Sequence, residues 1–161
     1  MASEEHELRN LSMPSIVFVC VANSFRSQMA EALAKRLSEG RWEVWSAGSH
    51  PSGRLHPLAV QLMEEIGLDL RAHRSKGLEE LPSQVWDYVV TMGCGDACPT
   101  LIGRHRLDWA IPDPAGLPHE RTTSSLSRGL PIEESRRIRD RLDGLIRALI
   151  HGHPSSATSA S

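Results

Sequence analysis

Cys20 and Arg26 stand six positions apart in the run Cys20-Val21-Ala22-Asn23-Ser24-Phe25-Arg26-Ser27. A strand ending at the cysteine and a helix starting at the arginine would gather the backbone N–H groups of Val21, Ala22, Asn23, Ser24 and Phe25 around one concavity, which suits an anion. The helix start and the guanidinium of Arg26 both favour negative charge, so Cys20 is expected to react as a thiolate nucleophile. A thiolate attacks a tetrahedral oxyanion, and an arginine fork clamps the oxygens of the same group. Ser27 is placed to give the sulfur a hydroxyl hydrogen bond, making it a better leaving group, and Asn23 to stiffen the loop by bonding its backbone. The bland alternative makes Cys20 a small buried hydrophobe and Arg26 a cap, but an arginine at a helix start opposes the dipole.

Asp113 precedes Pro114. A protonated carboxyl on such a loop can hand its proton to a departing hydroxide or alkoxide, although on residue statistics alone an Asp-Pro pair is a turn. Cys94 and Cys98 lie in Met92-Gly93-Cys94-Gly95-Asp96-Ala97-Cys98-Pro99. That segment follows a strand, at the sheet edge where parallel strands present their functional loops, so all three thiols are able to converge. Gly93 and Gly95 give it mobility. Structural zinc would need four ligands, and His105 offers at most a third. Two unreactive thiols would find little cover in a glycine-rich loop.

The elements that must position these groups follow from apolar periodicity. Ser15-Ile16-Val17-Phe18-Val19-Cys20 reads as a strand buried on both faces, the first of a parallel sheet. Met29, Leu33 and Leu37 recur at helical spacing from Ser27 to Leu37, with Gly40 as the stop. Trp42 to Trp45 alternates like an edge strand that breaks at Ser46-Ala47-Gly48. Pro57 opens a second helix carrying Leu58, Leu62 and Ile66 up to Gly67. Trp86 to Thr91 is a third strand and Leu107 to Ile111 a short fourth. From Glu133 to Ile150, Ile138, Leu142, Leu145, Ile146 and Leu149 form a helical stripe flanked by arginines expected to face solvent. This order predicts an α/β three-layer sandwich around a central parallel four-stranded sheet.

The chain has 161 residues, enough for one domain with a single core. Residues 1–14 read as a flexible N-terminal segment, 15–151 as a catalytic domain and 152–161 as a disordered tail, with Leu117 to Gly129 an extended loop. A net charge of -2 gives no basic excess for nucleic acid, and one Tyr, two Phe and four Trp offer few stacking platforms. No apolar run reaches membrane-span length and no secretory signal is visible, so a cytoplasmic protein without membrane contact is expected. Three cysteines are too few and too odd for a disulfide-stapled fold, which fits thiols kept for reaction.

The run from Cys20 through Ser27 to Gln28-Met29-Ala30-Glu31 resembles the signature of the low-molecular-weight tyrosine phosphatase and thioredoxin-coupled arsenate reductase superfamily. The Arg26-Ser27-Gln28-Met29-Ala30-Glu31 ending is closer to the arsenate reductases; the phosphatases usually carry Arg-Ser-Pro. Ser46-Ala47-Gly48, His73 with Ser75, Val90-Thr91, and Trp109 followed by Asp113-Pro114-Ala115-Gly116 match in order and rough spacing, so the resemblance spans about residues 15 to 150. It implies that Cys20 attacks arsenate held by the loop N–H groups of residues 21 to 26 and by Arg26, and that Asp113 is the general acid. It further implies that Cys94 displaces arsenite and that Cys98 closes a Cys94–Cys98 disulfide. The external donor is then thioredoxin or a low-molecular-weight thiol, phosphate or sulfate act as substrate analogues, and neither a cofactor nor a resident metal is implied.

Several positions depart from the family pattern. Ala22 stands where glycine is usual and Phe25 where a small residue is common. The spacing from Cys94 to Cys98 is shorter than in many thioredoxin-coupled members. Some members bind potassium through an acidic cluster near the loop; here Glu31 remains while Arg74 and Lys76 are neighbours, which implies a lysine ammonium in place of the ion. Ala115-Gly116 replace the tyrosines that stack on an aryl substrate in the phosphatases. Two other functions stay open at this level: a phosphotyrosine or aryl phosphatase, needing only Cys20, Arg26 and Asp113, and a non-enzymatic oxyanion-binding or thiol redox sensor.

Overall fold

Six consecutive buried residues form β1 (Ser15–Cys20), which runs through the middle of the sheet. A computed structural model describes residues 13–93, 101–113 and 132–153. Along the chain β1 is followed by α1 (Arg26–Ser38), β2 (Glu43–Gly48), α2 (Pro57–Glu64), a 3₁₀ turn at Leu78–Glu80, β3 (Val85–Thr91), β4 (Ile102–Asp108) and α3 (Ile132–Gly152). The strands lie in the order β2-β1-β3-β4, and every pairing is parallel.

Alternate side chains of β1 divide between two apolar clusters. Ile16, Phe18 and Cys20 join Met29 and Leu33 of α1, Leu62 and Met63 of α2, and Leu142 and Ile146 of α3. Val17 and Val19 join Trp86 and Val89, covered by Leu78, Leu81 and Leu101. This two-sided burial is why β1 reads as an unbroken apolar run. Each fully buried side chain such as Phe18 or Leu33 contributes roughly 1.5–3 kcal/mol relative to exposure.

Because all strands point the same way, their C-terminal ends share one edge. The register sets Cys20 opposite Gly48, Val19 opposite Thr91, and Thr91 opposite Asp108. The segments that follow Cys20, Gly48, Thr91 and Asp108 therefore meet there, as parallel sheets require of a functional rim.

Three expectations need correction. β2 does not break at Ser46-Ala47-Gly48 but runs through it, because these residues pair with Phe18, Val19 and Cys20 of β1. The fourth strand is Ile102–Asp108 rather than Leu107 to Ile111. It is an edge strand largely exposed on both faces, so it carries Arg104, His105 and Arg106 in place of an apolar pattern. The arginines of α3 are not all solvated: Arg139 is buried, donates to the Leu62 carbonyl at 2.9 Å and pairs with Glu65 at 2.7 Å. Glu65, gripped by Arg136 and Arg139, titrates at about 2. Cys94, Cys98 and the Leu117 to Gly129 segment lie outside the described residues, as do most of the N-terminal segment and of the tail.

Candidate active site

The loop from Cys20 to Arg26 is suspended by its carbonyls. Ser49 N–H donates to Cys20 O (3.2 Å), His50 N–H to Val21 O (2.8 Å), Ser52 N–H to Ala22 O (3.0 Å) and His56 N–H to Ser24 O (2.9 Å). The Ser75 hydroxyl adds a second bond to Ala22 O at 3.0 Å. With the carbonyls drawn outward, the N–H groups of Ala22, Asn23 and Ser24 have no backbone acceptor among the described residues. Several unpaired amides on one turn form a cradle for an anion. The loop rests on Gly48, where a Cβ would lie 2.5 Å from Val21 O and 2.9 Å from Asn23 N. Ala22 fits the loop without left-handed backbone; the positive φ of 48° falls on Asn23, a residue that tolerates it.

Asn23 is the hub beneath the cradle, and it bonds other elements instead of its own loop. Its Oδ1 accepts from the backbone N–H of Lys76 (2.9 Å), an unambiguous donor, which fixes the orientation of the amide. Nδ2 then donates to Ser27 Oγ (2.7 Å) and Ser46 Oγ (3.0 Å). Ser27 Oγ lies 2.8 Å from Cys20 Sγ. Since Asn23 already donates to that oxygen, the hydroxyl proton is left to point at sulfur, the arrangement a thiolate acceptor favours.

Gln28 continues this layer. Its Nε2 donates to Asn23 Oδ1 (2.9 Å) and to Arg74 O (2.9 Å), while Oε1 faces His73 Nδ1 at 3.1 Å, which therefore carries the proton. A proline at this position could make none of these bonds. Burial pushes the His73 imidazole below its ordinary value, against the opposing pull of Glu31.

Glu31 is buried among cations. Ser46 Oγ donates to it, Lys35 Nζ lies at 2.7 Å and Lys76 Nζ at 3.3 Å, with Lys76 also 3.4 Å from Ser46 Oγ. Burial alone would raise its carboxyl, but the hydrogen bonds from Lys35 and Ser46 and the Lys76 charge outweigh it, so Glu31 is held below the usual carboxylate range. Among the described residues no group of three or more His, Cys, Asp or Glu is set to hold a metal ion. The buried Lys76 ammonium supplies positive charge at this spot from the chain itself.

Arg26, also buried, donates through Nη1 to Met92 O (2.8 Å) and Ile111 O (3.0 Å), and Nη2 stands 3.7 Å from Asp113 Oδ2. One guanidinium thus joins the loop of Cys20, the segment leading to Cys94 and the segment ending at Asp113. Gly93 has φ 81°, and a Cβ there would lie 3.0 Å from Arg26 Nη1. The structure therefore pairs Cys20 with Ser27 and Arg26 with Asp113, at the two ends of one loop and its helix start. Ser46, Gly48 and His56 pack against the same loop without having been assigned a role from sequence. For Gly48 the signal was the strand-ending Ser46-Ala47-Gly48 itself; for His56 it was its place before Pro57, an N-cap position.

A model of the low molecular weight phosphotyrosine protein phosphatase family matches residues 15–150. The glutaredoxin arsenate reductase of Synechocystis sp. is 39% identical over 107 residues, covering 65% of this chain and 81% of that protein. A solved arsenate reductase in its phosphate-binding state is 31% identical and superposes with a TM-score of 0.69 over 85% of this chain and 96% of the other. The thioredoxin-dependent arsenate reductase of Corynebacterium glutamicum is 31% identical with a TM-score of 0.65, covering 98% of this chain and 74% of that one.

Proposed function

Because the chain belongs to the low molecular weight phosphotyrosine protein phosphatase family, we propose that it is an arsenate reductase in which Cys20 is the nucleophile. The observation that carries this reading is the Ser27 hydroxyl at 2.8 Å from Cys20 Sγ, beside a loop whose Cys20, Val21, Ala22 and Ser24 carbonyls are bonded by the segment from Ser49 to His56. Arsenate reductases among the relatives, and the use of Gln28 as a hydrogen-bonding residue where the phosphatases carry proline, favour arsenate over a phosphate ester.

In the first step the Cys20 thiolate attacks arsenic, a sulfur–arsenic bond forms, and hydroxide leaves as water with the proton of Asp113. The amides of residues 21 to 26 and the Arg26 guanidinium carry the charge on the remaining oxygens. Cys94 then attacks Cys20 Sγ, the sulfur–arsenic bond breaks, and its electron pair stays on arsenic, which departs as arsenite. Two thiols have supplied two electrons and become a Cys20–Cys94 disulfide. Cys98 attacks Cys94, a Cys94–Cys98 disulfide forms and the Cys20 thiolate returns. An external dithiol, thioredoxin or a glutaredoxin with a low-molecular-weight thiol, reduces that pair.

The phosphatase reading rests on the family membership and on the Arg26–Asp113 pair, which would serve ester hydrolysis equally. Arsenite release with thioredoxin and its reductase, run beside hydrolysis of an aryl phosphate, separates the two. Reduction by the wild type and its loss in Cys94→Ser supports the relay. Steady turnover of Cys94→Ser with thioredoxin alone would sink it.

A further inference from the structure

Phe25 closes the oxyanion loop, and its ring is buried in the main apolar cluster. It is the N-cap of α1, with φ -135° and ψ -84°, and no side-chain cap fixes its backbone there. What it meets instead is His56, whose ring centroid lies 4.9 Å away at a tilt of 40°. The backbone of His56 and one ring nitrogen are also held. Its N–H donates to Ser24 O (2.9 Å), its carbonyl accepts from Ala59 N–H (3.0 Å), and its Nδ1 accepts from Leu58 N–H (3.1 Å).

We infer that His56 is a positioning residue for the oxyanion loop, its ring bracing Phe25 and, through it, the adjoining Arg26. Two contacts make this more than a helix cap. The backbone bond to Ser24 and the ring contact to Phe25 hold consecutive residues of the loop, immediately before the arginine that reaches Asp113. The bond from Leu58 to Nδ1 fixes the ring plane and leaves the proton on Nε2. Burial lowers the His56 imidazole, against the opposing charge of Asp113. The bulk of Phe25, unusual at this position, is thereby matched by an aromatic partner on α2.

The inference rests on the loop being an oxyanion site, and inorganic phosphate tests both. His56→Asn keeps an N-cap acceptor for Leu58 and removes the ring. Phosphate affinity of the full chain is expected to fall on the order of tenfold, the upper end of what an aromatic pair contributes, with the melting temperature close to wild type. Phe25→Leu is expected to weaken binding similarly, and the double variant to lose little more than either single one. A His56→Asn variant that binds phosphate like the wild type, or losses that simply multiply in the double variant, would overturn the positioning role while leaving the oxyanion site intact. A wild-type chain that binds neither phosphate nor arsenate would overturn both.

Discussion

Gly48 passes so close beneath Val21 that a methyl group on its α-carbon would sit 2.5 Å from the Val21 carbonyl oxygen. The neighbours are backbone and Asn23, so they cannot swing aside as a flexible side chain would. Gly48→Ala is therefore expected to displace the loop, with an overpacking cost of about 1–3 kcal/mol. Phosphate binding, followed by calorimetry, should fall far more than urea stability. A variant that binds phosphate normally would contradict the close seating of loop on strand.

Ser27→Ala removes the hydroxyl beside Cys20 and the acceptor of one Asn23 hydrogen bond. Loss of a single preorganised donor at a reacting centre costs about a hundredfold in turnover. That drop is expected in kcat for arsenate reduction, with KM little changed. An unchanged kcat would show that the hydroxyl is only packing.

Lys76→Met leaves Glu31 with one buried cation fewer. Removing one partner of a buried pair destabilises by about 3 kcal/mol, an amount thermal denaturation resolves easily. The wild type is expected to be indifferent to exchange of sodium for potassium, whereas the variant should recover part of its stability in potassium. Potassium sensitivity of the wild type would contradict the substitution of ion by ammonium.

Acid should weaken the fold in two stages. Burial lowers the imidazoles of His56, His73 and His153 below the usual value of 6.5. The unfolded chain therefore binds more protons just below that value, and stability falls as pH drops through this window. Glu31, held low chiefly by Lys35 and Ser46 against its burial, adds stability above the usual carboxylate value of 4.5 that is lost as pH falls through its folded value. Urea midpoints measured from about pH 8 to about pH 4 should hold level at first and decline once the pH falls below about 6.5, and His73→Gln should flatten the first part of that decline. A midpoint that rises on acidification to about pH 6 would contradict the histidine assignments.

What the sequence made legible follows burial. β1 and α1 were readable because their apolar positions are fixed by the core they enter, and Cys20, Ser27 and Arg26 lie where those two elements join. β4 was not, since an edge strand held by backbone bonds to a single neighbour needs no apolar pattern. The same limit hid His56, whose role depends on a ring contact across thirty-one positions, from Phe25 to His56, that no local periodicity encodes. Asn23 was recognised as a stiffening residue, but its partners Ser46 and Lys76 come from other elements and emerge only when the chain is folded.

The ladder from Ser49, His50, Ser52 and His56 to the loop carbonyls is made wholly of main-chain atoms. Of its residues only His56 also turns its ring to the loop; the side chains of His50 and Ser52, like that of neighbouring Arg54, are exposed along the rim. Such a rim can drift in sequence, gaining or losing charge, while the geometry that grips an oxyanion stays the same. The grip on an oxyanion is thereby insulated from the charge that His50 and Arg54 display beside it.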